Sequence, residues 1–169
     1  RFCLHQARRS SALAFSPGGD ALYVAGFADN SVAVFSRDAS DGHLGFIEKE
    51  TDGAGVPLVD GIAGARGVEV SPDGSLVFVA GATDGMIAVF SRVTDSLSPQ
   101  LHRLDFLDIA GLVSAVDLAI TPAGEQVYGV GSTADTLGMF SETRATGPCP
   151  FPPACPLRDT AGRFGRDER

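Results

Sequence analysis

The chain writes nearly the same line twice, SPGGDALYVAGFADNSVAVFSR at 16–37 and SPDGSLVFVAGATDGMIAVFSR at 71–92. Aligned from 12 and from 67, the two stretches share 12 identities in 26 positions, where roughly two would be expected from ordinary residue frequencies. A more diverged third copy, TPAGEQVYGVGSTADTLGMFSE, occupies 121–142. An internal period of this length outranks local propensity in deciding a fold: each copy is one supersecondary unit, and its apolar faces can be covered only by its neighbours.

Within each copy the signals run in one order. Leu13 and Phe15, Val68 and Val70, and Leu118 and Ile120 alternate with smaller or polar residues, the period of two that a strand requires. Ser-Pro-Gly-Gly, Ser-Pro-Asp-Gly and Thr-Pro-Ala-Gly follow, with proline where φ is near −65° and glycine where positive φ is cheap, predicting turns at 17–19, 72–74 and 122–124. A second strand, LYVAG, VFVAG or VYGVG, leads into Asp29-Asn30 or Asp84-Gly85, residues that tolerate the left-handed conformation of a hairpin turn. SVAVFSR, MIAVFSR and TLGMFSE form third strands, and 44–50 and 100–108 alternate well enough to be charged outer edge strands. Four antiparallel strands per repeat make the blade of a β-propeller, and the absence of any 3.6-residue period excludes a helical solenoid. The fold expected is all-β, with blades at 11–65 and 66–115, a partial blade at 116–143, and an open arc of about three blades.

Ser-Pro-Asp-Gly, then Val-Tyr/Phe-Val-Ala-Gly, an Asp-Asn/Gly turn and Val-Ala-Val-Phe-Ser-Arg resemble the bacterial lactonase-like propeller repeats of the Tyr-Val-Thr-Asn family, over residues 11–142. Tyr23-Val24-Ala25-Gly26 carries Ala-Gly where the signature has Thr-Asn. The chain has no Trp, unlike WD-repeat relatives, and Phe35, Phe90 and Phe140 hold the large aromatic position of the third strand. The resemblance implies a six- or seven-bladed parent of which this chain is a piece. It opens on Arg1 in mid-pattern, so 1–10 read as the remnant of a link from a preceding blade. The stretch 144–169 carries many breakers and no alternation, and reads as a poorly ordered tail rich in Pro, Gly and Arg.

Composition narrows the classes of function. Hydrophobic residues make up 44% of the chain and charged ones 20%, with 21 glycines and 10 prolines, a turn-rich folded chain. A net charge of −8 with Lys49 as the one lysine repels phosphate backbones and argues against nucleic acid as a partner. No apolar run is long enough to span a membrane. Cys3, Cys149 and Cys155 are too few for a disulfide framework, leaving Cys149 and Cys155 as a small bridged loop or as unpaired thiols. His5, His43 and His102 show no paired-ligand spacing, so no metal or other cofactor is expected.

No nucleophile elbow, His-Glu-x-x-His or phosphate loop occurs, and no catalytic residue is identifiable. Asp29, Asp73 and Asp84 read as turn-capping residues. Positions that only build a blade should carry similar residues in every copy, and two in the inner strand do not. Glu69 aligns with Ala14 and Ala119, Asp117 with Ala12 and Gly67, and Arg66 stands at the strand's entry. A carboxylate in place of a small residue costs solvation unless water, a cation or a ligand compensates. Arg66, Glu69 and Asp117 are therefore the ligand-binding candidates, expected toward the propeller axis. In lactonase-like relatives an Arg-His pair often stands at this entry; Arg66 matches the Arg, and Gly67 replaces the His. Two functions remain: a non-catalytic scaffold binding a protein or a small molecule such as a carbohydrate, in an extracellular or envelope setting, or a cytoplasmic lactone hydrolase of the 6-phosphogluconolactonase-like type. An open arc also leaves blade faces bare, so the isolated chain is expected either to self-associate through them or to behave as a fragment that lacks its missing blades.

Overall fold

The computed structural model describes residues 9–55, 58–95, 98–108, 114–132, 136–141 and 158–159. Twelve strands run in chain order: β1 (Ser10–Phe15), β2 (Ala21–Gly26), β3 (Ser31–Arg37), β4 (Leu44–Thr51), β5 (Ala65–Val70), β6 (Leu76–Gly81), β7 (Met86–Asp95), β8 (Ser98–Asp108), β9 (Ala115–Ile120), β10 (Gln126–Gly131), β11 (Thr136–Ser141) and β12 (Arg158–Asp159). They form three four-stranded antiparallel sheets, ordered β1-β2-β3-β4, β5-β6-β7-β8 and β9-β10-β11-β12. Each is a meander of consecutive strands, the blade that the repeat predicts. The first strands pack one on the next, β1 on β5 and β5 on β9.

The fourth strand of the last sheet differs in kind from the other two. No alternating segment follows Glu142 in the sequence, yet Arg158 and Asp159 pair with Ser141 and Phe140. Two residues suffice because an edge strand is held by one neighbour's backbone, with little demand on its side chains. The rest of the 144–169 segment, the 1–8 end of the N-terminal link, and all three cysteines lie outside the described residues.

The turns between first and second strands are built identically in all three sheets. The N–H groups of Ser16, Ser71 and Thr121 donate to the carbonyls of Ala21, Leu76 and Gln126 at 2.9–3.0 Å. The hydroxyls of the same three residues accept the N–H groups of those partners, at 3.0, 2.9 and 3.2 Å. A hydroxyl residue opens each turn because it closes this second bond, and Gly19, Gly74 and Gly124 follow with φ of 69°, 74° and 75°, where a Cβ would be strained.

Packing between blades explains why the middle strands are apolar at almost every position. Ala21, Tyr23, Ala25, Val32 and Val34 of the first sheet pack against Val68, Val77, Val79, Ala88 and Phe90 of the second. The alternate residues of the second sheet, Phe78, Ala80, Ile87 and Val89, pack against Ala115, Leu118 and Val127 of the third. A strand buried on both sides cannot alternate apolar with polar.

The link from the first blade to the second is pinned by three side-chain acceptors. Consecutive N–H groups of Ile62, Ala63 and Gly64 donate to Asp52 Oδ1 (3.1 Å), Asp84 Oδ2 (2.9 Å) and Asn30 Oδ1 (2.8 Å). Asp84, expected to cap its hairpin, thus holds the link, whereas Asp73 caps its own turn by accepting from the N–H of Ser75 at 3.0 Å. Gly64 has φ of 65°, and a Cβ there would run into Thr83. Asn30 itself has φ of 49°, a conformation glycine also takes freely. Asn30→Gly should keep the hairpin and lose only the acceptor. The expected cost is about 1–2 kcal/mol, read from denaturant unfolding, with faster amide hydrogen exchange at Gly64.

Candidate functional site

All three first strands carry a bulge near their start, where register slips between Ser10 and Ala12, between Ala65 and Gly67, and between Ala115 and Asp117. The extra residue in each is Ser11, Arg66 or Val116. A bulge re-aims the side chain of its extra residue, so this position points differently from the rest of its strand. In the first blade Ser11 donates its hydroxyl to the Ala65 carbonyl at 2.8 Å, tying β1 to β5. In the second, Arg66 is exposed and its guanidinium carbon sits 4.7 Å from the centroid of the Phe27 ring. A cation held over a ring face loses side-chain freedom but keeps its outer N–H groups for a ligand.

Phe27 was not singled out by the sequence reading, although a signal existed. The equivalent positions in the other copies are Ala82 and Ser132, so the test that drew attention to Glu69 and Asp117 also marks Phe27 as the odd residue of its set.

Glu69 and Asp117 stand on the adjacent first strands β5 and β9. Glu69 pairs with Phe78 across the sheet and lies on the side of the second blade that faces the third; it is half-buried, and Asp117 is exposed. Burial pushes the Glu69 carboxyl above the usual carboxylate range, and the negative charge of Asp117 adds to this, while the N–H of Val70 opposes it. Asp117 keeps its carboxylate at the surface, where Oδ1 accepts the N–H of Leu118 at 3.0 Å. The two carboxyls are therefore in electrostatic reach of each other. Arg66, three residues before Glu69 and roughly 10 Å away along an extended strand, is turned toward the first blade.

Gly67 lies between these residues, and the third blade closes over it. A Cβ added there would sit 3.3 Å from Asp117 Cα and 3.4 Å from Ala80 Cβ. That is tight even for alanine, and a side chain as large as His would need the two blades to part.

A second acidic group lies beside the link. Carboxylate oxygens of Asp52, Asp60 and Asp84 fall within 4.8 Å of one another. Burial raises the Asp52 pKa, with the charges of Asp84 and Asp60 contributing, against the hydrogen bond from Ile62. Asp52 and Asp84 already accept N–H groups of the link, a structural use of both side chains.

Three successive antiparallel meanders, stacked face to face through their apolar sides and with their first strands adjacent, define an arc of a β-propeller. Residues 3–106 match the model of the lactonase family of seven-bladed β-propellers, and the chain belongs to that family. Solved structures agree on the fold. A candidate 6-phosphogluconolactonase from Bacteroides uniformis superposes with a TM-score of 0.67 at 21% identity, over 89% of this chain and 39% of that one. A second from Bacteroides fragilis gives 0.66 at 19%, over 89% and 37%. The periplasmic gluconolactonase of Pseudomonas aeruginosa gives 0.65 at 23%, over 79% and 35%. This chain thus spans under two fifths of the length of these structures. No curated protein matches it.

The raised Glu69 pKa has a consequence for stability. Its folded value lies above its unfolded value, so the folded state binds the proton more tightly. Stability from this group is greatest below the unfolded carboxylate pKa and falls as pH rises to the folded one. Glu69→Gln should therefore be more stable than the parent at neutral pH, by no more than about 1 kcal/mol because solvent screens the group. The difference should vanish in acid, as followed by thermal unfolding across pH.

Proposed function

We propose that this part of the propeller forms one wall of a sugar-lactone site, and that the protein hydrolyses the ring ester of an aldonolactone. The observation that carries the reading is the carboxyl pair on adjacent first strands: exposed Asp117, and half-buried Glu69 with its raised pKa. Lactone opening needs a base to take a proton from the attacking water and an acid to return one to the ring oxygen as its bond to the carbonyl carbon breaks. Two neighbouring carboxyls, of which half-buried Glu69 holds its proton more tightly than a free carboxyl does, supply that division of labour. Asp117 is the base in this reading and Glu69 the acid. Arg66, steadied on Phe27 and further along β5, stands where it would hold an anionic substituent remote from the reacting carbonyl. Membership of the lactonase family supports the substrate class.

One observation favours a second reading, in which the same wall binds a sugar-like ligand without turning it over. Gly67 lacks the space for an imidazole beside Arg66, so a base at that position is not available and the chemistry would rest on the carboxyls alone.

Proton release from glucono-δ-lactone and its 6-phosphate, measured at constant pH, separates the two. Hydrolysis is expected above the spontaneous rate. Asp117→Asn should lower kcat by about a hundredfold or more, and Arg66→Ala should raise KM for the phosphorylated substrate while leaving kcat nearly unchanged. Calorimetric binding of the aldonate with no turnover in the parent chain would establish the second reading instead.

A further inference from the structure

The arginines of the blades differ in what their guanidinium groups meet. Arg92 belongs to the junction of blades one and two: its side chain is 7% exposed, and Nη2 donates to Asp20 Oδ2 at 2.7 Å. It stands where turns of the two blades nest, since a Cβ on Gly74 would come within 3.3 Å of both Arg92 Nη1 and Pro17. Arg37 donates to the Gly19 carbonyl at 3.4 Å. Arg66 is placed differently. It is exposed, its guanidinium lies over the Phe27 ring, and among the described residues no oxygen accepts a hydrogen bond from it.

The ring under Arg66 is held on several sides. The Phe27 N–H donates to the Arg9 carbonyl at 3.2 Å, and its own carbonyl accepts the N–H of Asn30. The ring edge packs on the link between the blades, where a Cβ on Gly64 would lie 3.3 Å from Phe27 Cε2. Gly64 is fixed in turn by its N–H on Asn30 Oδ1. A half-buried ring anchored in this way is a platform for a long side chain. An unsupported arginine must surrender much rotamer freedom when an anion binds, and stacking on a fixed ring does that ordering beforehand. The ring covers one face of the guanidinium and leaves the in-plane N–H groups for an oxyanion.

The repeat shows that the blade has no need of this pair. The bulge position of Arg66 is filled by Ser11 and Val116 in the other copies, and the position of Phe27 by Ala82 and Ser132. At the next junction, between blades two and three, the two places are therefore held by Ala82 and Val116, and the blades pack there without either cation or ring. The two odd residues belong to different blades and meet only in the folded chain.

We propose that Phe27 is a positioning residue that makes the sugar-lactone site, on whose reading this inference rests, prefer a phosphorylated sugar acid or lactone to its neutral-tailed counterpart. Phe27 does this through Arg66, without touching the ligand. It holds the guanidinium with its N–H edge free, so that the phosphate meets a cation already in place.

Binding measured without turnover tests this on the 169-residue chain. In proton magnetic resonance the δ-methylene of Arg66 should resonate upfield in the parent, under the ring current of Phe27, and return to the ordinary arginine range in Phe27→Leu. Calorimetric titration with 6-phosphogluconate and with gluconate gives the preference as a ratio of dissociation constants. That ratio should fall about three- to tenfold in Phe27→Leu, the cost of ordering one long side chain at binding. Phe27→Trp keeps an aromatic face and should restore it. With Arg66→Ala already present, Phe27→Leu should lower the ratio no further, because the two residues act as a unit. A general loss of structure would not depend on Arg66 in this way. A ratio unchanged in Phe27→Leu, one that falls equally with and without Arg66, or no binding of either compound by the parent would overturn the proposal. Failure of the hydrolase reading has a different signature: no turnover, with a Phe27-dependent ratio intact, removes hydrolysis and leaves the selectivity standing. Turnover with a ratio indifferent to Phe27 does the reverse.

Discussion

Everything in this chain depends on apolar sheet faces being covered by other sheets. The middle strands β2, β3, β6 and β7 send alternate side chains to opposite sides, and both sides are buried where a neighbouring blade exists. Full burial of a Val or Phe side chain contributes roughly 1.5–3 kcal/mol, and Val32, Val34, Val77, Val79 and Phe90 are all at or below 1% exposure in a single contact layer. One meander has nowhere to place such residues. Stability is therefore shared across junctions, as in any array whose units cannot close their own core.

The same packing decides what the first strands can carry. Near their start they approach closely enough that a Cβ on Gly67 would press on the Asp117 backbone. Small residues are the rule there, and Ala12 and Ala14 obey it in the first blade. Glu69 breaks the rule and is left with its charge partly desolvated beside a second acid. It is this partly desolvated carboxyl beside a second acid on which the proposed lactone site rests. The bulge offers a different solution at Arg66, since a residue outside the ladder's register can turn a long charged side chain away from the crowded contact and onto Phe27.

Polar groups secure what apolar burial leaves loose. Apolar contact is non-directional and would permit one blade to slide on another. Three consecutive link N–H groups held by Asp52, Asp84 and Asn30 fix the spacing at one end of the blades. Nested Pro and Gly turns, with the Arg92–Asp20 pair, fix it at the other. The repeat thus encodes its own neighbour's position as well as its own fold.

Much of the architecture was legible from the sequence by itself, because turn chemistry and strand periodicity are local and recur at the same offsets. Ser16, Ser71 and Thr121 begin equivalent turns, and the strand boundaries fall within about three residues of those the repeats imply. Misfit within the repeat likewise drew attention to Glu69 and Asp117, and the strand-entry position to Arg66. What only the tertiary structure decided is which of these meet. Arg66 belongs with Phe27 of the preceding blade and Glu69 with Asp117 of the following one, a partition set by which side of the sheet each residue faces once the bulge has shifted the register. The edge strand Arg158–Asp159 was equally unreadable, since backbone pairing at an edge leaves no periodic trace in side chains. Local pattern specifies each blade, but contacts across blades depend on how whole faces stack, and no single stretch of sequence contains that information.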